Sequence, residues 1–445
     1  MQRRVFFQIS AIMIVLFFLA GCRSESAGEE GGNGDQVEIT WLVRSNPALV
    51  EWYDRVVDEF QKEHPSIQVE LQIIPQTEID QKLMTMIAGG NVPDVWSPNW
   101  ADSGFSAYHA LGALMDLSPF LEQDPDVVDG IDESLVEIYA TDEGVFGVPF
   151  LQMGSFVYYN KALFEEAGLP DLPTDWDDKS WDWDKMVEYG KAITDADGNP
   201  TQRVYGVMND NYASKDAWMF GGDFFKDADY ERGEMTTPVI TEDPRNYEAI
   251  QSKYDLIHKH GVHPPQNELS ALSQLSDPFL SGRIGMVLKG GWGTRQYAGT
   301  DMDWGIAPYP YTNEGREVPL YVDPWSISAE TEHPEESWEF VKFLMNPEKG
   351  AKWIVEMALE TPAHGELKEL WYELIAERTG LSVDALREVD QGALRFGRPS
   401  DNHLIKDFSP ILRHMNMTIN AVYDGQKSVE DGLAELQENL KTLNY

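Results

Sequence analysis

Residues 37–96 read VEITWLVRSNPALVEWYDRVVDEFQKEHPSIQVELQIIPQTEIDQKLMTMIAGGNVPDVW, and the succession of periods in this stretch decides the fold. Val37–Val43 is a strand signal. Leu49, Trp52, Val56 and Phe60 then recur at three and four, the spacing of an amphipathic helix, which His64-Pro65 ends. Ile67, Val69, Leu71 and Ile73 alternate as in a strand. Ile79, Leu83 and Ile87 form a second helix, closed by Gly89-Gly90, and Pro93-Asp94-Val95-Trp96 opens a third strand. Strand–helix–strand–helix–strand implies a mainly parallel sheet with helices on both faces. Ligands of such sheets bind outside the carboxyl ends of the strands. The loops Arg44-Ser45-Asn46 and Trp96–Asp102 are therefore expected to face one crevice.

The segment before this stretch has a different character. Arg3 and Arg4 precede an apolar run from Val5 to Ala20, interrupted by Gln8 and Ser10. At this length it is short of the ~20 residues a membrane-spanning helix needs and reads as a secretory signal. It ends in Leu19-Ala20-Gly21-Cys22, which resembles the bacterial lipobox. That resemblance implies cleavage before Cys22 and acylation of the cysteine, with two or three chains giving a stable hold on a bilayer. Residues 1–21 are thus expected to be a lipoprotein signal peptide. Residues 22–36, small, polar and acidic, are expected to be a lipidated flexible tether. Cys22 is the single cysteine of 445 residues, so no intramolecular disulfide supports the exported fold.

Without residues 1–21 the chain has 424 residues (445 − 21), enough for two or three domains. Its net charge goes from −42 to −44 with the loss of Arg3 and Arg4. Such a surface repels nucleic acid, which requires clustered Lys and Arg. The acids are spread over the whole chain, as suits solubility rather than a cationic ligand.

Further motifs carry a resemblance. VYYNKALFEEAGL (157–169), WDWDKMVEYGKAIT (181–194), FLSGRIGMVLKGGWG (279–293), WGIAPYPY (304–311) and EESWEFVKFLMNPEKG (335–350), together with QKLMTMIAGGNVPDVW (81–96), resemble segments of the family 1 extracellular solute-binding proteins of ABC importers. They occur in order over nearly the whole mature chain. Physically they are mostly scaffold: Gly168 suits a left-handed helix cap, Asp182 an N-cap, and Pro334 a first helical turn.

The resemblance implies an α/β, two-lobe, periplasmic-binding-protein-like fold (type II). Each lobe would be a mainly parallel sheet flanked by helices, with the two joined by a three-crossing hinge. The crossings are expected near 147–150, 290–291 and 323–325. That assigns 37–149 plus 291–325 to an N-terminal lobe and 150–290 plus 326–445 to a C-terminal lobe. It also implies a monomeric, lipid-anchored subunit on the extracytoplasmic face of the cell membrane. Such a subunit would capture a sugar, an oligosaccharide in this reading, and deliver it to permease subunits in the membrane.

Sugars present apolar ring faces and rings of hydroxyls, so their sites need aromatic platforms beside planar polar groups. Several of the 14 Trp fall at expected strand ends. Trp100, with Asn99 and Asp102, lies on the loop after the third strand, and Trp292 follows the second crossing. The resemblance to maltose-binding relatives implies sugar contact at both places. Trp218, Phe220 and Asp223 on the second lobe, Trp325 at the third crossing, Gln152 after the first, and Arg44 with Asn46 complete the candidate ligand-binding set. Trp41, Trp183, Trp338 and Trp353 are assigned to core from their phase.

No catalytic, metal or cofactor site is expected. Asp195–Asn199 reads as a polar turn, because its acids are misplaced for a calcium loop. His258 and His260 lack paired metal spacing, Gly290–Gly293 is followed by no Gly-Lys-Ser/Thr, and no Gly-x-Ser-x-Gly elbow occurs. Two other functions stay open at this point. One is a cell-surface glycoside hydrolase, for which acids are abundant enough. The other is a same-fold binder of a phosphoester, polyamine or peptide; for a phosphoester, Arg44, Lys289, Arg295 and Arg398 are the available cations.

Overall fold

The computed structural model describes residues 36–100, 103–195, 197, 202–312 and 315–443. Cys22, its signal and most of the tether, and Asp102, lie outside the described residues, as does part of the Asp195–Asn199 turn. Twelve strands are present among the described residues: β1 (Val37–Arg44), β2 (Ile67–Ile74), β3 (Val95–Trp96), β4 (Ala140–Thr141), β5 (Gly144–Val145), β6 (Val148–Met153), β7 (Ser155–Asn160), β8 (Tyr205–Asn209), β9 (Ile284–Gly290), β10 (Trp304–Ala307), β11 (Val318–Ile327) and β12 (Gly397–Pro399).

The first sheet has the order β12-β11-β3-β1-β2, with β6 also paired to β11. β1 runs parallel to β2 from Val37↔Ile67 to Arg44↔Ile74 and parallel to β3 at Trp41↔Val95, as the alternation and helix periods require. The helix Val50–Glu63 buries Trp52, Tyr53, Val56 and Phe60. The helix Ile79–Gly89 is capped by Gly90 at φ 67°, where a side chain at Cβ would be strained.

Trp41 organises this lobe's core. Its ring lies 5.5 Å from Trp52, 5.4 Å from Tyr53, 5.7 Å from Trp325 and 5.1 Å from Phe340, each edge-on, a geometry favoured by ring quadrupoles. Trp325 also stacks on Phe150 at 4.1 Å and meets Trp100 edge-on at 5.3 Å.

The second sheet has the order β10-β7-β9-β8. It departs from the expected mainly parallel arrangement, because β7 is antiparallel to both β9 and β10 and only β8–β9 is parallel. The reason is that β7 enters from the first lobe, one residue after β6, and runs away from the junction. The expected scaffold caps are present: Asp182 accepts from Lys185 N at 2.8 Å, Gly168 has φ 68°, and Pro334 opens its helix. A separate small core gathers the helices Phe408–Tyr423 and Val429–Lys441 with Phe224, Ile240 and Ile250.

The chain is shared between the lobes differently from the expected partition. The helices Pro334–Met345 and Gly350–Ala358, expected in the C-terminal lobe, pack on the first sheet. Phe340 touches Trp41 and Phe60, and Trp52 Nε1 donates to Gly350 O at 3.0 Å. Conversely, the helix Trp292–Ala298 and β10, expected in the N-terminal lobe, belong with the second sheet. Tyr297 and Trp304 pack on Tyr158 at 5.1 and 5.6 Å, and β10 pairs with β7.

The links between the lobes shift accordingly. The first lies at Gly154, between β6 and β7. The second is not at Gly290-Gly291, since the chain stays in the second lobe there; it is the segment from β10 into β11. The third is not at 323–325, which is interior to β11 and pairs with β6. It is 359–364, where Gln152 N donates to Thr361 O (3.1 Å) and Ala363 N to Phe150 O (3.0 Å).

Trp325 is therefore a core residue of β11 rather than a ligand platform; it is fully buried within the aromatic cluster. Trp325→Ala is expected to cost about 3–5 kcal/mol of stability, the usual range for a buried large aromatic. A chemical-denaturation curve checks it, and a loss under about 1 kcal/mol would place the ring at a surface instead.

Candidate functional site

The carboxyl end of β1 opens onto a cavity of about 390 Å³ between the lobes. The first lobe contributes Arg44, Asn46, Gln76 and Asp323; the second contributes Trp292 and Arg295; Met153, Tyr321 and His403 also line it.

Arg44 ends β1, and its carbonyl accepts from Tyr53 Oη at 3.0 Å. Its guanidinium lies 5.1 Å above the Trp100 ring and donates to Glu360 Oε1 at 3.0 Å. Arg295, on the helix after β9, reaches the same oxygen at 2.9 Å. Glu360 is 1 % exposed. It follows Leu359, a non-glycine residue at φ 56°, a left-handed conformation that costs roughly 1–3 kcal/mol and persists only where the surroundings impose it. Trp371 Nε1 helps impose it by donating to Leu359 O at 2.9 Å.

Trp100 is buried behind the cavity. Its Nε1 donates to Asp323 Oδ2 at 3.1 Å, and its carbonyl accepts from Gln76 Nε2 at 2.9 Å. Asn99 reaches the cavity wall, but its amide is spent on the fold. Nδ2 donates to Tyr139 Oη (2.9 Å) and Val322 O (2.6 Å), and Oδ1 accepts from Phe105 N (2.9 Å). Asn46 keeps its loop tight by accepting from Ala48 N at 3.1 Å, which leaves its amide N–H groups for other partners.

Trp292 sits edge-on to Tyr321 at 4.9 Å. Its ring folds back over Gly290, where a Cβ would lie 2.1 Å from the indole. The glycine therefore makes room for the tryptophan itself. Tyr321 Oη accepts from the buried Lys215 Nζ at 3.0 Å. His403 is held neutral, its pKa pushed down to about 3 by burial and by Lys215.

Of the sequence candidates, Arg44, Asn46, Asn99 and Trp292 are brought to this cavity, with Trp100 directly behind it. Four more are placed elsewhere, in addition to Trp325. Trp218 is fully buried under Arg398, whose guanidinium lies 4.5 Å over its ring and pairs with Asp223 at 2.5 Å. This stacked ion pair explains why both are present without a ligand. Gln152 is buried on β6 with its backbone bonded to Thr361. Phe220 borders a different cavity of about 550 Å³ that belongs to the second lobe alone, beside Trp183 and Tyr311. Trp183 thus lines a cavity rather than lying wholly in the core, and Trp353 is half-buried beneath Arg55. The smaller cavity is the better candidate because only it joins the two lobes at strand ends.

Asp323, Tyr321, Glu360 and His403 were not among the candidates, and Arg295 was named only as a cation for a phosphoester. Arg295 had a signal, since it stands three residues after Trp292 and shares its helix face. Glu360 had none. Among the described residues, no group of three or more His, Cys, Asp or Glu could hold a metal ion.

The cavity, edged by the Trp292 and Tyr321 rings and walled by planar donors and acceptors at the junction of two α/β lobes, is the arrangement of a solute-binding protein. The chain belongs to the bacterial extracellular solute-binding protein family, which matches residues 46–351. It is 22% identical over 444 residues to the galactooligosaccharide-binding protein of Bacillus subtilis (strain 168), covering 98% of this chain and 96% of that one. An ABC substrate-binding protein from Listeria monocytogenes in complex with cycloalternan superposes with a TM-score of 0.76 at 25% identity, covering 91% of this chain and 98% of that one. Maltose-bound MalE3 of T. maritima gives 0.69 at 20% identity, covering 92% and 100%. The fold is thus that of the two-lobe type II periplasmic binding proteins.

Asp323 gives the site a pH signature. Burial pushes its pKa up to about 7; Arg44 and the Trp100 N–H oppose the rise, and Glu360 adds to it. An unfolded aspartate releases its proton near ~3.9, so between these values the folded state binds more protons. Its contribution to stability therefore falls as pH rises from about 4 to about 7 and is level above. Asp323→Asn is expected to gain melting temperature over the parent, by more at pH 8 than at pH 5. An equal difference at both pH values would contradict this.

Proposed function

We propose that the protein is the substrate-binding subunit of an ABC importer, which captures an oligosaccharide in the junction cavity and hands it to a membrane permease unchanged. The observation that carries this reading is the cavity itself. Trp292 supplies a ring face, and Arg44, Arg295 and Asn46 supply hydroxyl partners drawn from both lobes. The named ligands of the relatives are oligosaccharides, which favours the same class here. The cations considered for a phosphoester are engaged by acids: Arg44 and Arg295 share the single Glu360 carboxylate, Arg398 pairs with Asp223, and Lys289 with Asp277 at 3.5 Å. This speaks against a dianionic ligand.

Hydrolysis is the second reading. It is motivated by the raised carboxyl of Asp323 near the Glu360 carboxylate, a pairing of the kind glycosidases use. Both groups are almost wholly buried, Glu360 is held by two arginines and Asp323 by Trp100, so neither is free to reach a glycosidic bond. Binding without turnover is the function supported best.

The lipobox-like sequence at 19–22 supports a lipid-anchored protein on the extracytoplasmic face of the membrane. Cys22→Ser is expected to release the protein from the membrane fraction or leave it uncleaved. A correctly processed mutant that still fractionates with membranes would refute the anchor.

Thermal shift of the mature protein against malto-, galacto- and arabino-oligosaccharides tests the ligand class. A sugar at 100 times its dissociation constant adds ~2.7 kcal/mol of stability, and chromatography of the incubated sugar is expected to return it intact. For the sugar found, Trp292→Ala is expected to weaken binding at least tenfold, about 1.4 kcal/mol, with a smaller effect on melting. Wild-type affinity in a folded mutant would remove Trp292 from the site.

A further inference from the structure

We propose that Glu360 is a positioning residue that couples lobe closure to assembly of the binding site, by holding Arg44 of the first lobe and Arg295 of the second on one carboxylate oxygen. The part of this proposal that concerns sugar rests on the function proposed above; the part that concerns closure does not.

The geometry is specific. Arg44 ends a strand of the first sheet, and Arg295 sits on a helix packed against Tyr158 of the second, through Tyr297. Both guanidinium groups reach Glu360 Oε1, at 3.0 and 2.9 Å. Glu360 lies on the third link between the lobes, immediately after the left-handed Leu359. Backbone strain of this kind is retained where a side chain must be aimed, and here it aims the carboxylate at the one place where both arginines converge.

Charge explains why the arrangement matters. A carboxylate 1 % exposed would be costly if unpaired. If the lobes part, Arg295 moves away and Glu360 keeps only Arg44. Closure thus restores a buried charge pair, and the same event brings two rigid guanidinium forks to the cavity wall. Each fork carries five N–H donors, so one bond to Glu360 leaves donors for ligand hydroxyls. Among the described residues the other acid acting on this side is Asp323, which Trp100 holds and whose charge Arg44 faces. Glu360 is therefore the residue whose loss should loosen the closed form and misplace two ligand-facing donors together, without touching ligand itself.

The test is a double-mutant cycle of Glu360→Gln and Arg295→Gln in the mature protein, with two readouts. Small-angle scattering without sugar is expected to give a larger radius of gyration for each single mutant than for the parent, and no further increase in the double mutant. Titration with whichever malto-, galacto- or arabino-oligosaccharide stabilises the parent is expected to weaken about tenfold in each single mutant. In the double mutant the loss should be well short of the sum, because contacting residues are not additive. Unchanged size and affinity in folded Glu360→Gln would overturn the proposal, as would fully additive effects. If Glu360→Gln does not fold, the more exposed Arg295→Gln decides: a parent-like radius and affinity there also overturns it. If no oligosaccharide binds the parent but both single mutants expand, the closure role stands and the sugar reading fails.

Discussion

The antiparallel pairing of β6 with β11 is the constraint on which the rest depends. Both strands belong to the first sheet, and β6 passes through Gly154 into β7 of the second. On β11, Trp325 is committed to the aromatic core with Phe150 of β6, Trp41 and Trp100. Asp323 and Tyr321, two and four residues earlier, line the cavity. The register shifts between Asp323 and Pro324, where the strand leaves the core and enters the site. One strand pair therefore fixes the first lobe's core, the floor of the cavity and a passage between lobes. A change in its register would alter all three.

The site is a small set of paired charges, two arginines on one carboxylate, in a strongly acidic protein. Two arginines face the cavity, Glu360 neutralises one equivalent, and Asp323 holds its proton up to about pH 7. Such a wall offers many hydrogen-bond donors and keeps one net positive charge of the two arginines, too little to match a dianionic phosphate and better suited to hydroxyl-rich neutral ligands. Trp292 adds the apolar surface that a sugar ring face needs, and Gly290 makes its placement sterically possible.

Much of the first lobe was legible in the sequence, because its signals are local. The periods of Leu49–Phe60 and Ile67–Ile73 belong to single elements and needed no partner to be read. The partition of the chain was less legible. Nothing near Gly290-Gly291 says whether the next helix stays with its own sheet; that is decided by Tyr297 and Trp304 packing on Tyr158, which is more than a hundred residues away. Trp292 and Trp325 both look like strand-end rings, and only the packing of β11 against Phe150 separates the cavity-lining ring from the core one. Trp218 and Asp223 resembled a polar-aromatic site because they form one, but with Arg398 as the occupant. Glu360 carries no local mark at all, since its partner Arg44 is 316 residues distant. Such contacts exist only once the fold has formed.

In the proposed function, ligand sits at the junction of the lobes. The most direct test is a crystal structure of the mature protein with an oligosaccharide that stabilises it. Sugar density is expected against the Trp292 ring, with hydroxyls bonded to Arg44 and Arg295. Density instead in the second-lobe cavity beside Trp183, Phe220 and Tyr311, with the junction empty, would contradict it.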